Sequence, residues 1–272
     1  MALAWYDCVA IGGICQISRF RFKTLIQVIG FEGRLALVRS FIFNVGFFVG
    51  TFILMLVWSP ALLIGPVALR WCGRTWATLL RQWLWISLEI SIEVRGEVPS
   101  GPCVIAAKHQ SAWETIGLLG ILSDPCFVLK RELSYIPIFG WYIARNRQIS
   151  VNRSAGMAAL KVLLRQAHNA VAEERQIVVF PQGTRVEVGA IKPYQPGIAA
   201  LYHQLNVPIH PVALNSGLVW GRNKFIKHKG KIVLQFLPAV RQGLSKGEFL
   251  NELSGQIDSA TDRLITEGRQ HL

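Results

Sequence analysis

Acidic residues are the scarce class in this chain. Sixteen Asp and Glu stand against 29 Lys and Arg in 272 residues, a net charge of +13. That balance argues against a cationic partner and for an anionic one, nucleic acid or acidic lipid. Paired cysteines are missing as well. Cys8, Cys15, Cys72, Cys103 and Cys126 form no Cys-x-x-Cys and no Cys/His ligand spacing, which argues against a structural metal. They read as reduced thiols of a cytosol-facing protein, and the apolar runs around Cys103 and Cys126 favour inert burial over use as nucleophiles. No Walker spacing, internal repeat, low-complexity tract or obvious linker is present.

Charge is absent altogether from Phe41 to Leu69, between Arg39 and Arg70. With apolar residues at 51% of the chain, this stretch predicts membrane contact. Ser59-Pro60 divides it, so it is expected to form one kinked span or two shorter helices that enter and leave the same leaflet. Arg39 and Arg70 give little charge asymmetry, which favours the re-entrant form. Trp58, Trp71, Trp76, Trp83 and Trp85 follow, interleaved with Arg70, Arg74 and Arg81. Arg70 to Leu88 therefore reads as an amphipathic helix on a membrane surface, with an ordinary Trp-rich core helix as the alternative. Residues 1–37 lack the charge-then-apolar order of a signal peptide and are expected to be an extension, with a start near Val38. Residues 38–88 are then the membrane-embedded or interfacial helices.

From residue 89 to 272 strands and helices alternate, which predicts one α/β domain with helices flanking a mixed sheet. Ile90–Arg95, Pro102–Ala107, Cys126–Leu129, Ile149–Arg153, Ile177–Phe180, Val207–Leu214 and Ile232–Leu237 read as extended segments. Helices are expected from a Ser154 cap through Glu174, over Gly197–Leu205 and over Lys246–Glu267. In the first of these, Met157, Leu160, Leu163, Leu164, Ala167 and Val171 make the apolar face, with His168 on it. Gly221 to Lys231 carries five Lys and Arg and no acid. It suits lipid headgroups or a cofactor's phosphates, or is a solvated turn.

The chemistry concentrates in Lys108-His109-Gln110-Ser111-Ala112-Trp113-Glu114, where a buried-type strand hands over to a helix. Ser111 and Glu114 make a Ser-x-x-Glu capping pattern. Neutral imidazole is the side chain best suited to general-base work near neutral pH, and a carboxylate on its second nitrogen fixes the tautomer. Five residues is about 140° off-face on a regular helix. The pair meets only if His109 lies in the turn and Glu114 reaches back; otherwise Glu114 is just a capping partner. Lys130-Arg131 at a strand end, before Ile136-Pro137-Ile138-Phe139-Gly140-Trp141, suits an anion beside an apolar cleft, or is a solvated turn. Pro181-Gln182-Gly183-Thr184-Arg185 makes a tight loop at another strand end, with Arg185 as a fork for phosphate. His210 reads as a satisfied histidine.

Taken together, these stretches resemble the glycerophospholipid (lysophospholipid) acyltransferase family, in its bacterial form. Four family motifs occur in order over roughly residues 40 to 250. His109-x4-Glu114 is similar to His-x4-Asp; Lys130-Arg131-Glu132-Leu133 with Ile136-Pro137-x-Phe139-Gly140 matches the second block. Phe180-Pro181-Gln182-Gly183-Thr184-Arg185 matches Phe-Pro-Glu-Gly-Thr-Arg, and Val207-Pro208-Ile209-x-Pro211-Val212-Ala213 the fourth. Glu114 departs from Asp, and Gln182 from Glu. The resemblance implies a metal-independent O-acyltransferase at residues 89–272. It implies an acyl thioester, acyl-CoA or acyl carrier protein, as donor and the 2-hydroxyl of 1-acyl-glycerol-3-phosphate as acceptor, giving phosphatidate. His109 is implied as base and Glu114 as its support. Lys130, Arg131, Gly183, Thr184 and Arg185 are implied on the phosphate side and Pro211 on the acyl or thioester side, with no bound cofactor. An oxyanion donor is required, and backbone N–H groups near Gly183 are one candidate. Membrane phospholipid is the expected surface, nucleic acid is not an expected partner, and the catalytic domain is expected on the cytoplasmic face of the inner membrane. Two rivals stand beside this reading: another lysolipid acceptor, such as lyso-ornithine lipid, and a non-catalytic basic module that binds membrane or nucleic acid.

Overall fold

Two long helices open the described part because the chain is apolar there and then breaks at proline and glycine. The computed structural model describes residues 31–270. Helix α1 (Phe31–Val57) ends before Ser59-Pro60, a short helix α2 (Ala61–Ile64) follows, and α3 (Pro66–Leu88) starts with Pro66 in its first turn. Gly65, at φ +127°, supplies the backbone that reverses the chain between them. The uncharged stretch is thus no single kinked rod. It is an antiparallel helical hairpin, and the Trp-rich helix begins a turn earlier than Arg70. Trp76 Nε1 donates to Thr51 Oγ1 at 3.0 Å, and Trp83 Nε1 to the Phe43 carbonyl at 3.2 Å. A Cβ on Gly46 would lie 2.6 Å from the Trp83 ring, so this glycine admits the indole. Among the described residues, Glu32–Val57 is the one helix long and apolar enough to cross a membrane, and most of it is unburied. Residues 1–30 lie outside the described part, and with them most of the expected extension; the helix starts at Phe31 and runs through position 38 without a break.

Beyond the hairpin lies a seven-stranded mixed sheet, in the order β1-β7-β6-β2-β5-β3-β4. Its strands are β1 (Ile90–Arg95), β2 (Cys103–Ala107), β3 (Pro125–Lys130), β4 (Ile149–Val151), β5 (Gln176–Val179), β6 (Ile209–Leu214) and β7 (Gly230–Phe236). Strands β6, β2, β5, β3 and β4 are parallel neighbours; β7 runs antiparallel to β6, and β1 parallel to β7. Strand β2 is buried throughout, as its unbroken apolar run requires of a strand covered on both faces. Ile105 and Ala107 pack with Leu80, Leu84 and Leu88 of α3, and with Trp113 and Ile116 of α4 (Trp113–Ile121). Val104 and Ala106 pack on the opposite face, against α6 (Met157–Ala172), α7 (Pro196–Gln204) and α8 (Lys246–Arg269). Each fully buried Leu, Ile or Phe there contributes about 1.5–3 kcal/mol. The helical hairpin is therefore part of the domain's own core, through α3.

Local details depart from the expected pattern. Helix α6 is entered through Gly156, at φ +51°, and Ser154 sits in a 3-10 turn (Arg153–Ala155) whose N–H is taken by Asn152 Oδ1. Met157 and His168 are exposed, so the buried face of α6 is narrower than the sequence suggests. Helix α8 carries the capping box of Ser245 and Glu248. The segment after β3 forms a 3-10 turn (Arg131–Tyr135) and then α5 (Phe139–Arg145). A Cβ on Gly140 would lie 2.1 Å from the Ser134 carbonyl oxygen. Gly140→Ala is expected to destabilise the domain by about 1–3 kcal/mol, read as a lower urea midpoint. An unchanged midpoint would mean that the turn yields freely.

Candidate active site

The parallel strands bring their carboxyl ends to one side of the sheet, where open α/β folds place ligands. Strand β2 runs into Lys108-His109, β5 into Phe180–Arg185, β3 into Arg131, β4 into Asn152-Arg153 and β6 into Asn215-Ser216. Residues far apart in sequence thus converge by topology alone.

His109 lies in the turn and Glu114 in the first turn of α4, and they do meet. Nδ1 of His109 is 3.4 Å from Glu114 Oε2, an ion-pair distance slightly long for a hydrogen bond. Nδ1 is buried and has no other hydrogen-bond partner. The imidazole stacks on the Phe180 ring at 3.9 Å, and its backbone is held on both sides: His109 N–H donates to Gln182 Oε1 at 3.3 Å, and Val186 N–H to its carbonyl at 2.7 Å. The histidine side chain keeps 16% of its exposure while that of Glu114 has none.

Glu114 is buried but fully engaged. Oε1 accepts from the N–H groups of Gln110 (2.9 Å) and Ser111 (2.8 Å) and from the Ser216 hydroxyl (2.5 Å), and Oε2 from Ser111 N–H at 3.0 Å. Such donors are what a buried carboxylate needs. The capping reading is right in part: Glu114 reaches back to Ser111, but the Ser111 hydroxyl accepts from Trp113 N–H, and the helix starts at Trp113. The carboxylate therefore serves the turn and the histidine together.

The β5 loop is a β-turn, with Gly183 N–H donating to the Phe180 carbonyl at 2.9 Å and Gly183 at φ +70°. That N–H is consumed by the turn, so it is not the free donor expected near Gly183. The N–H groups of Thr184 and Arg185 donate to nothing among the described residues. Gln182 is buried, with Nε2 unpartnered. Arg185 is half-buried and carries no hydrogen bond or ion pair among the described residues. Lys130 is exposed and pairs with Glu132 at 3.1 Å; Arg131 is exposed over the Tyr135 ring. Pro211 is placed differently. It is buried in β6, in register with Ala106 of β2.

Four residues escape the sequence reading. Ser216 is 102 positions from the carboxylate it donates to, with no local signal. Arg153 donates to the Gly183 carbonyl from the end of the neighbouring strand system. Lys108, nearly buried, pairs with Asp258 of α8 at 2.6 Å and so ties the histidine turn to the last helix. Tyr194 donates to the same carboxylate at 3.3 Å. Burial pushes the thiols of Cys103 and Cys126 up to about 11, which removes them as nucleophiles at neutral pH. An apolar cavity of about 210 Å³ opens between the hairpin and the sheet, lined by Met55, Trp58, Leu119, Phe127, Leu129 and Tyr142.

The Acyltransferase family model matches residues 90–215, from the first strand to the end of β6. A 1-acyl-sn-glycerol-3-phosphate acyltransferase of Pseudomonas aeruginosa is 36% identical over 180 residues, 65% of this chain and 70% of the relative. The chain belongs to the 1-acyl-sn-glycerol-3-phosphate acyltransferase family. The human beta form of that enzyme is 30% identical over 141 residues, about half of each chain at 51%. The structure is also similar to the crystal structure of the LPA acyltransferase PlsC from Thermotoga maritima, with a TM-score of 0.64 and 21% identity, covering 90% of this chain and 97% of the other. That likeness extends over the hairpin as well as the sheet. The family match ends one residue before Ser216, so the hydroxyl that holds Glu114 lies outside the matched segment.

Proposed function

We propose that this chain transfers an acyl group from an acyl thioester to the 2-hydroxyl of 1-acyl-glycerol-3-phosphate, forming phosphatidate. The observation that carries the reading is His109, backed by a buried Glu114 at a strand-to-helix turn, beside a loop whose Arg185 has no partner of its own. Relatives that bear the name of this activity support it.

Nε2 of His109 accepts the proton of the glycerol hydroxyl as its oxygen attacks the thioester carbonyl. The C–S bond then breaks, and the leaving thiolate takes the proton back. Glu114 holds Nδ1–H toward itself and stabilises the imidazolium formed in between. A thioester is already activated, so the reading needs no resident metal or covalent acyl-enzyme. Thr184 and Arg185 take the phosphomonoester, with Lys130 and Arg131 adding charge at the end of β3. Their N–H groups at 184 and 185 replace that of Gly183 as oxyanion donors. The apolar cavity takes an acyl chain, and the hairpin holds the domain on the cytoplasmic face of the inner membrane. Acyl-CoA and acyl carrier protein are both chemically adequate donors.

Purified protein assayed with lysophosphatidate, lyso-ornithine lipid and uncharged-headgroup lysolipids, against each donor, tests the reading. Preference for an acceptor without a phosphomonoester would overturn it. Arg185 gives a finer test. A guanidinium grips a phosphomonoester through two parallel hydrogen bonds, which lysine cannot reproduce. Arg185→Ala is expected to raise KM for lysophosphatidate roughly 10- to 150-fold, for a loss of about 1.5–3 kcal/mol, and Arg185→Lys less. KM for the thioester should move little. An equal rise for both substrates would reassign Arg185 to the donor side or to structure.

A further inference from the structure

The basic segment after β6 is not a plain solvated turn, because one of its lysines points inward. Lys227 is 4% exposed. Its ammonium donates to Asn44 Oδ1 at 2.7 Å and to the Phe225 carbonyl at 2.9 Å. It lies 5.5 Å from the centre of the Phe43 ring and 5.4 Å from that of Trp220, within reach of cation–π attraction. Lys227 N–H donates to Ser40 Oγ at 2.9 Å, and Asn44 Nδ2 to the Phe225 carbonyl at 3.3 Å. Ser40, Phe43 and Asn44 all belong to α1. Burial pulls the Lys227 ammonium down to about 8, a measure of how dry this clasp is.

The clasp fixes what the rest of the segment presents. Arg222, Lys224 and Lys229 are exposed, and their side chains make no hydrogen bond or ion pair among the described residues. Glu89 is paired with Arg39 at 2.6 Å, and Glu93 with Arg95 and Lys231. Phe225 stands between the cations, 50% exposed, and its backbone touches Asn44. The adjoining surface of α1 is apolar and open: Phe41, Ile42, Val45, Phe48 and Val49 are 46–66% exposed. An aromatic side chain flanked by unpaired cations, continuous with a bare apolar helix face, has the chemistry of a bilayer interface.

We propose that residues 221–229 form a lipid-contact loop, which lays Arg222, Lys224 and Lys229 on an anionic headgroup surface and is fastened to α1 by Lys227. This rests on the reading of the hairpin as a membrane anchor. The loop marks a level on α1. From Asn44 to Val57 the helix rises about 20 Å at 1.5 Å per residue, less than a hydrocarbon core of about 30 Å. With Asn44 at the headgroups, the hairpin enters the bilayer and turns back inside it.

Sedimentation of the full chain with phosphatidylcholine vesicles, with and without phosphatidylglycerol, tests the proposal. Wild type is expected to bind both, and the anionic vesicles more tightly in a salt-sensitive way. R222Q/K224Q/K229Q should lose that preference, on the order of 100-fold or about fivefold per charge, with binding to phosphatidylcholine unchanged. Lys227→Met should lower the preference although all three exposed cations remain. An anionic preference that survives in the triple variant overturns the proposal, as does wild-type binding to single-stranded RNA with no gain on anionic vesicles. Failure of wild type to bind phosphatidylcholine would instead strike the anchor reading.

Discussion

His109→Ala is expected to lower kcat by about 10²- to 10⁴-fold, the range that a positioned general base supplies. The backbone of His109 is held by two hydrogen bonds that an alanine keeps, and only the stacking of the ring on Phe180 is lost. The fold, the hairpin and the cation loop should therefore survive, and the KM values of both substrates should shift by far less than kcat. Turnover within severalfold of wild type would remove His109 from the chemistry. The deletion also leaves Glu114 with its three hydrogen-bond donors, so no bare buried charge confuses the result.

Glu114→Gln is expected to be nearly as damaging by a different route. The carboxamide oxygen takes the Oε1 place, where Gln110 N–H, Ser111 N–H and the Ser216 hydroxyl converge. Its NH₂ then takes the Oε2 place, facing Ser111 N–H at 3.0 Å and His109 Nδ1 at 3.4 Å. Two N–H groups oppose each other at Ser111. At His109 the amide donates to Nδ1, which drives the ring proton to Nε2, where the base is needed. A loss of about 10²- to 10⁴-fold in kcat follows, because the tautomer is wrong and the imidazolium loses its counter-charge. The charge-assisted bonds given up cost about 1.5–3 kcal/mol of stability. Glu114→Asp keeps the carboxylate on a shorter arm and should retain more activity than Glu114→Gln. Equal losses for the two would mean that reach, and not charge, governs the pair.

Much of this site was legible because its chemistry is local. The strand, the turn and the helix around His109 follow from an apolar run and a capping pattern, and the β5 loop from Pro181 and Gly183. Ordered motifs then raised a weak pair to a family resemblance. What was hidden is what the sheet brings together. Ser216 reaches Glu114, and Asp258 reaches Lys108, only through the strand order, which no periodicity encodes. Pro211 is the converse case. Its place in a motif suggests the substrate side, and only the fold shows that it is a buried strand residue in register with Ala106. Lys227 was hidden for a related reason: a basic run reads as uniformly solvated, and only the fold shows one ammonium turned among aromatic rings.

The strand order also has a consequence for biosynthesis. The hairpin closes with contacts about 25 to 40 residues apart, such as Trp76 to Thr51 and Trp83 to Phe43, so it can form as soon as it leaves the ribosome. Strand β2 must wait for β5 and β6, and Glu114 for a serine 102 residues later. Loop-closure entropy puts these distant pairings last. The hairpin is thus in place before the site is competent. The base acquires its full buried support only after the hairpin has formed.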